Sequence, residues 1–152
     1  MKKLLVAFFV LTVSFIAFDA NAFIDSYTIS RDKLPQEARE MLDLHFPKAK
    51  VSMIKVDRHL LKKTDYDVKL TNGVTVEFSN KGQWKSVSSS KKAIPEDLVP
   101  APIRKYVSKN HADLHITGIA KRNAGYDITL SDGSQHRFNL LHQYKGVINT
   151  EA

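Results

Sequence analysis

The sequence predicts an α+β fold built from two tandem units, each a helix followed by a four-stranded antiparallel meander. Three observations carry this reading: a block of 13 residues that recurs 60 positions later, apolar residues at helical spacing upstream of each copy, and strict alternation within the copies.

The block YDVKLTNGVTVEF, Tyr66 to Phe78, aligns without gaps on YDITLSDGSQHRF, Tyr126 to Phe138. Five of the 13 positions are identical and three more exchange Val for Ile, Thr for Ser and Asn for Asp. Average residue usage gives about one identity by chance. The same offset carries Leu34-Pro35 onto Ile94-Pro95 and Gln83-Trp84 onto Gln143-Tyr144. Between these anchors Val51 and Ile54 match Ile116 and Ile119 better, at an offset of 65, so the second unit is longer in its helical part and shorter in its first hairpin. Loops absorb such differences.

The first helix follows from Leu34, Ala38, Met41 and Leu42, which recur on one face, with Pro35 suited to a first turn and Glu37 favourable near the positive end of the dipole. It should end near Phe46-Pro47. A strand is expected from Val51 to His59. Tyr66, Val68 and Leu70 then alternate with Asp67 and Lys69, Asn72-Gly73 makes a two-residue turn, and Val74, Val76 and Phe78 alternate with Thr75 and Glu77. That is a half-buried hairpin with a primed turn. A strand from Gln83 to Val87 completes the first unit, and Ser88-Ser89-Ser90-Lys91-Lys92 is a short polar link.

In the second unit Val99, Ile103, Tyr106 and Val107 form the helical stripe. Pro100 and Pro102 should split a short turn from a main helix that begins at Pro102. Strands follow at Leu114 to Lys121, on either side of Asp132-Gly133, and at Gln143 to Ile148. One helix covers one face of a four-stranded sheet. The other face, bearing Asp67, Lys69, Thr75, Glu77, Asp127, Thr129, Gln135 and Arg137, should therefore stay polar and wet.

The start of the chain concerns compartment. Lys2 and Lys3 precede an apolar run from Leu4 to Phe18 that meets Ala20-Asn21-Ala22, the pattern of a secretory signal peptide. The run is shorter than the roughly 20 residues a spanning helix needs. The expected organisation is a leader at 1–22, a first unit at 23–90 and a second at 91–152, in a periplasmic or secreted protein that does not span the membrane once the leader is cleaved. No cysteine occurs, which removes disulfides, thiolate nucleophiles, thiolate-bound zinc and iron–sulfur clusters. The 23 basic residues exceed the 16 acidic ones by seven, but they are spread along the chain, with small concentrations at Arg58 to Lys63 and Lys91-Lys92 and no arginine-rich or aromatic-basic motif. Nucleic acid is not an expected partner.

Candidate chemistry is sparse. His111 and His115 have a ligand spacing only if one helix holds both, and the residues around Asp113 look like a helix exit. His136 and His142 flank a turn and could approach each other. No His-Glu-x-x-His, Gly-x-Ser-x-Gly, Ser-x-x-Lys or glycine-rich phosphate loop is present. Asp67 and Asp127 occupy equivalent positions but read as solvated strand residues. The expectation is a protein without enzymatic activity, cofactor or metal site. Trp84 and Tyr144 hold equivalent places after the last turn of each unit and are candidate aromatic anchors on the open face, or caps on the core edge.

With Leu34-Pro35, Phe46-Pro47, the Tyr66 to Phe78 block, the Gly82-Gln83-Trp84 turn and their second copies in view, the chain resembles the PepSY-like family of exported bacterial proteins, grouped by fold with the β-lactamase inhibitor protein. The resemblance spans about residues 30 to 148. It implies that the two sheets join into one curved surface with helices on the convex side and a concave side open to a partner, the side with which the inhibitor protein grips an enzyme. The shared residues build the scaffold. This chain departs from the disulfide-containing inhibitor in lacking cysteine, and from its own first unit in having His142 in place of Gly82 and His136 in place of Val76. The functional expectation is an exported, non-enzymatic binding or inhibitory module whose open face, Asp67, Lys69, Thr75, Glu77, Trp84, Asp127, Thr129, Gln135, Arg137 and Tyr144, meets an envelope protein or peptide. A periplasmic sensor or carrier holding a small ligand or metal between the units is the alternative.

Overall fold

The computed structural model describes residues 25–57 and 65–148. The expected leader, the Arg58 to Lys63 concentration and His59 lie outside the described residues. The chain is α+β, with nine strands in one antiparallel sheet and two α-helices. In chain order the elements are β1 (Ser26–Thr28), α1 (Gln36–His45), β2 (Val51–Asp57), β3 (Asp65–Leu70), β4 (Val74–Phe78), β5 (Trp84–Ser89), α2 (Ala101–Asn110), β6 (Ile116–Arg122), β7 (Gly125–Leu130), β8 (Gln135–Asn139) and β9 (Tyr144–Val147). Short 3-10 turns at Arg31–Lys33 and Glu96–Leu98 lead toward the helices. Each strand pairs with its neighbour in sequence, from β1 through to β9. Among the described residues no helix is long and apolar enough to cross a membrane.

The core is the face on which alternation places aliphatic side chains. One cross-strand row runs Ile54, Val68, Val76, Val87, Ile119, Ile128, His136 and Val147 from β2 to β9. Ala38, Met41 and Leu42 of α1 and Ile103 and Val107 of α2 join this row in one hydrophobic cluster, so both helices lie on the same side of the sheet. Burying an aliphatic side chain of this size removes enough apolar area to stabilise by about 1.5–3 kcal/mol, which is why the row dictates the register of all the strands it crosses. The Glu77 side of the sheet has no such cover: every described strand belongs to the sheet, and both helices pack on the opposite side.

Three details depart from the sequence reading. Strand β1 was not expected; it is three residues long and pairs with β2. Helix α2 begins at Ala101, one residue before Pro102, so that proline lies within the first turn, where its missing N–H costs nothing. The third concerns Trp84 and Tyr144, which lie on the helix face of the sheet and not on the open one. Glu77 pairs with Ser86 but Phe78 pairs with Trp84, leaving Lys85 as an extra residue, and Arg137 pairs with Gly146 but Phe138 with Tyr144, leaving Lys145 extra. A β-bulge of this kind reverses the side on which the next residue emerges. Trp84 and Tyr144 accordingly pack against the hydrophobic cluster, with Tyr144 stacked on Tyr106 of α2 at a centroid distance of 4.7 Å.

Candidate functional site: the open face of the sheet

The alternation that sends Val68, Val76, Ile128 and Phe138 inward sends their neighbours outward. Two cross-strand rows result. The first runs Lys55, Asp67, Glu77, Ser86, Ala120, Asp127, Arg137 and Gly146, and the second Lys69, Thr75, Ser88, Gly118, Thr129 and Gln135. Eight of the ten candidate residues, Asp67, Lys69, Thr75, Glu77, Asp127, Thr129, Gln135 and Arg137, therefore share one face. Trp84 and Tyr144 do not.

Charge divides this face. On β2 to β5 the carboxylates of Asp57, Asp65, Asp67 and Glu77 surround a few lysines. Lys85, displaced outward by its bulge, places Nζ 2.6 Å from Glu77 Oε1 and 3.1 Å from Asp65 Oδ2, and these partners raise its proton affinity. The carboxyl of Asp67 is pushed above the ordinary range, first by burial and then by the nearby Glu77, with Lys55 pulling the other way. On β6 to β8 the sign changes. Asp127, only 8% exposed, accepts hydrogen bonds from Arg122 Nε and Arg137 Nε, each at 2.8 Å. Burial alone would raise its carboxyl, but the bonds from Arg137 and Arg122 outweigh it and hold the group below the ordinary carboxylate range.

Arg122 was not among the candidates, because the strand was expected to end at Lys121. Continuing the alternation by one residue would have placed it beside Ala120's row. Lys85 needed the bulge. Asp67 and Asp127 lie on β3 and β7, four strand spacings or about 19 Å apart at roughly 4.8 Å each, too far to share a proton or a substrate bond.

The histidines separate. His111 follows the end of α2, and His115 lies beyond it with Nε2 3.1 Å from the Lys91 carbonyl oxygen, so no helix holds the two. His142, at φ 60°, makes the turn after β8 and rests by Tyr126 at 5.5 Å. His136 takes a place in the aliphatic row, 3% exposed, with Nε2 3.0 Å from Ser134 Oγ and its ring 4.7 Å from that of His111. Burial, followed by His111, lowers its proton affinity. Among the described residues no three His, Asp, Glu or Cys side chains gather as a metal site would require.

Trp84 carries a different contact. Lys121 Nζ lies 3.5 Å from the centre of its ring, and burial lowers the proton affinity of that amine, with Glu37 opposing.

A family model described as beta-lactamase-inhibitor-like, PepSY-like matches residues 64–150. Among solved structures, a protein from Bacteroides vulgatus provisionally described as periplasmic and of unknown function is 33% identical, with a TM-score of 0.79 over 83% of this chain and 100% of its own. One from Bacteroides thetaiotaomicron, provisionally described as a calcium-regulated periplasmic protein, is 30% identical with a TM-score of 0.76 over 82% of this chain and 97% of its own. A second Bacteroides vulgatus protein, also provisionally described as periplasmic, is 33% identical, with a TM-score of 0.75 over 82% of this chain and 97% of its own. No curated protein matches the chain.

Proposed function

The chain belongs to the beta-lactamase-inhibitor-like, PepSY-like family, and on that footing we propose that it is a non-catalytic binding module of the periplasm, two tandem copies of one helix-and-meander unit whose joined sheet offers its polar side to an envelope protein or peptide. Its location agrees with that of its structural neighbours, which are described as periplasmic.

One observation carries the reading. Eight polar side chains from β3, β4, β7 and β8 share a single face, while both helices pack on the other. A regular sheet holds those groups at fixed spacing, so a partner meets them with little ordering left to be done. Glu77, Asp127 and Arg137 among them are tied into ion pairs on regular strands, which suits recognition better than bond chemistry. Inhibition of an enzyme would be one use of such a surface.

The test is photo-crosslinking from defined positions. A benzophenone amino acid at Thr75 or Thr129 should trap a periplasmic partner, whereas the same group at Leu44, exposed on the outer side of α1, should not. Adducts from Leu44 alone would place recognition on the helix side. A stoichiometric rise in unfolding temperature with zinc, lost in His136→Ala, would favour the carrier reading, which draws its support from the adjoining His111 and His136 rings.

A further inference from the structure

Where β6 turns into β7, a recess of about 530 Å³ opens beside the face, lined by the cations Lys85, Lys121, Arg122 and Arg137 and by one carboxylate, Asp127. That volume is in the range of ligand sites. Two of the cations are already engaged, Lys85 with Glu77 and Asp65 and Lys121 with the Trp84 ring. The two arginines are engaged only in part. Asp127 takes Arg122 through Nε, and takes Arg137 through Nε and, at 3.3 Å, Nη2. Among the described residues nothing else accepts from Arg122 Nη1 and Nη2 or Arg137 Nη1. The side chains remain 61% and 55% exposed even though Asp127 fixes their direction.

We propose that Arg122 and Arg137, splayed on Asp127, form a clamp for a carboxylate of an acidic peptide, an inference that rests on the open-face reading and specifies its partner. A guanidinium forked onto one carboxylate keeps donors in a plane suited to a second. The charges also fit: two guanidiniums against one carboxylate leave the clamp positive, and Lys121 over the Trp84 ring adds to that charge, which favours an anionic partner. The first half of the face cannot offer the same site, because the row holds Asp67 and Glu77 there, and β2 ends on Asp57 where β6 ends on Arg122. An acidic ligand is thus repelled from one half and received by the other, which fixes its orientation as well as its place.

The experiment measures fluorescence anisotropy of a labelled peptide alternating glutamate and serine, against its glutamine counterpart, with the purified protein. The glutamate peptide should bind about tenfold or more tightly than the glutamine one, and Arg122→Gln or Arg137→Gln should each cost about tenfold, the size of one charge-assisted contact. Lys109→Gln, exposed on α2 on the other side of the sheet, should cost less than about threefold by the weakness of exposed charges. Unchanged urea unfolding in Arg122→Gln would assign its loss to contact and not to misfolding. Equal binding of the two peptides, or full binding by the Arg122→Gln/Arg137→Gln pair, overturns the proposal. So does preferential binding to phosphatidylglycerol vesicles or inorganic phosphate, or a self-association that Arg122→Gln abolishes. If the peptide fails while crosslinks from Thr75 and Thr129 persist, the clamp falls and the open face stands. If those crosslinks vanish too, both fall.

Discussion

Replacing Gly125 by alanine should unfold the second half of the sheet far more readily than any other glycine-to-alanine change of similar backbone geometry. Gly125 opens β7 at φ +146°, and a methyl group there would be driven into the Phe138 carbonyl oxygen and lie 2.7 Å from Asn139 Cα. Both obstacles are backbone of β8, so neither can rotate away. Holding a non-glycine residue in that region costs about 1–3 kcal/mol, and forcing the strands apart adds about 1–3 kcal/mol as overpacking does elsewhere. Gly146 supplies the control: at φ +131° it has similar strain but no atom within 4 Å of the added carbon. The loss of glycine's freedom in the unfolded chain is common to both variants and cancels in the comparison. Urea unfolding followed by circular dichroism should show Gly125→Ala losing about 2–6 kcal/mol, or roughly 8–24 °C in melting temperature for a domain of this size. Gly146→Ala should lose about 1–3 kcal/mol. If the two variants unfold within about 0.5 kcal/mol of one another, the close approach of β7 to β8 is not the constraint and the argument fails.

Two further outcomes are expected. Trp84→Ala should cost about 2 kcal/mol of stability, roughly half the penalty of a fully buried aromatic, and leave crosslinking from Thr129 intact; a loss of crosslinking at unchanged stability would return Trp84 to the binding face. Stability should also fall as pH drops below about 6.5, since burial depresses the proton affinity of His136 and the unfolded chain then binds the additional proton. His136→Val, which restores the aliphatic row, should flatten that fall between about pH 7.5 and 5, and parallel urea-midpoint profiles for variant and parent would refute the assignment.

The hairpins of Tyr66 to Phe78 and Tyr126 to Phe138 were legible because their alternation and their Asn-Gly and Asp-Gly turns point to the same register, and α1 and α2 because their apolar stripes are unambiguous. The face on which Asp67, Lys69, Arg137 and their neighbours lie followed from that alternation alone. Trp84 and Tyr144 could be read either as open-face anchors or as caps on the core edge, and the sequence left the two open for a definite reason. Period two holds only while no residue is inserted; nothing in Lys85-Ser86 announces a bulge, and Gly146, the cue in the second copy, has Ser86 as its counterpart in the first. Strand β1 has only three residues and owes its existence to the edge that β2 presents. The Arg122–Asp127–Arg137 cluster depends on β6, β7 and β8 meeting at one corner, a juxtaposition made by pairing across turns and invisible to spacing along the chain.

Because every strand lies beside its predecessor, almost all of the loops that must close during folding are short, and short closures lose little chain entropy. Two junctions differ, β1 to β2 across α1 and β5 to β6 across α2. Strand β6 reaches β5 only after the chain has passed through α2, and the two meet at Ser86–Ala120, Val87–Ile119 and Ser88–Gly118. Across the same divide His45 Nδ1 at the end of α1 lies 3.0 Å from Asp97 Oδ2 ahead of α2. Pairing within each half closes short loops, whereas the β5–β6 pairing closes the longest connection between described strands, and it is the one that makes a single continuous surface out of two.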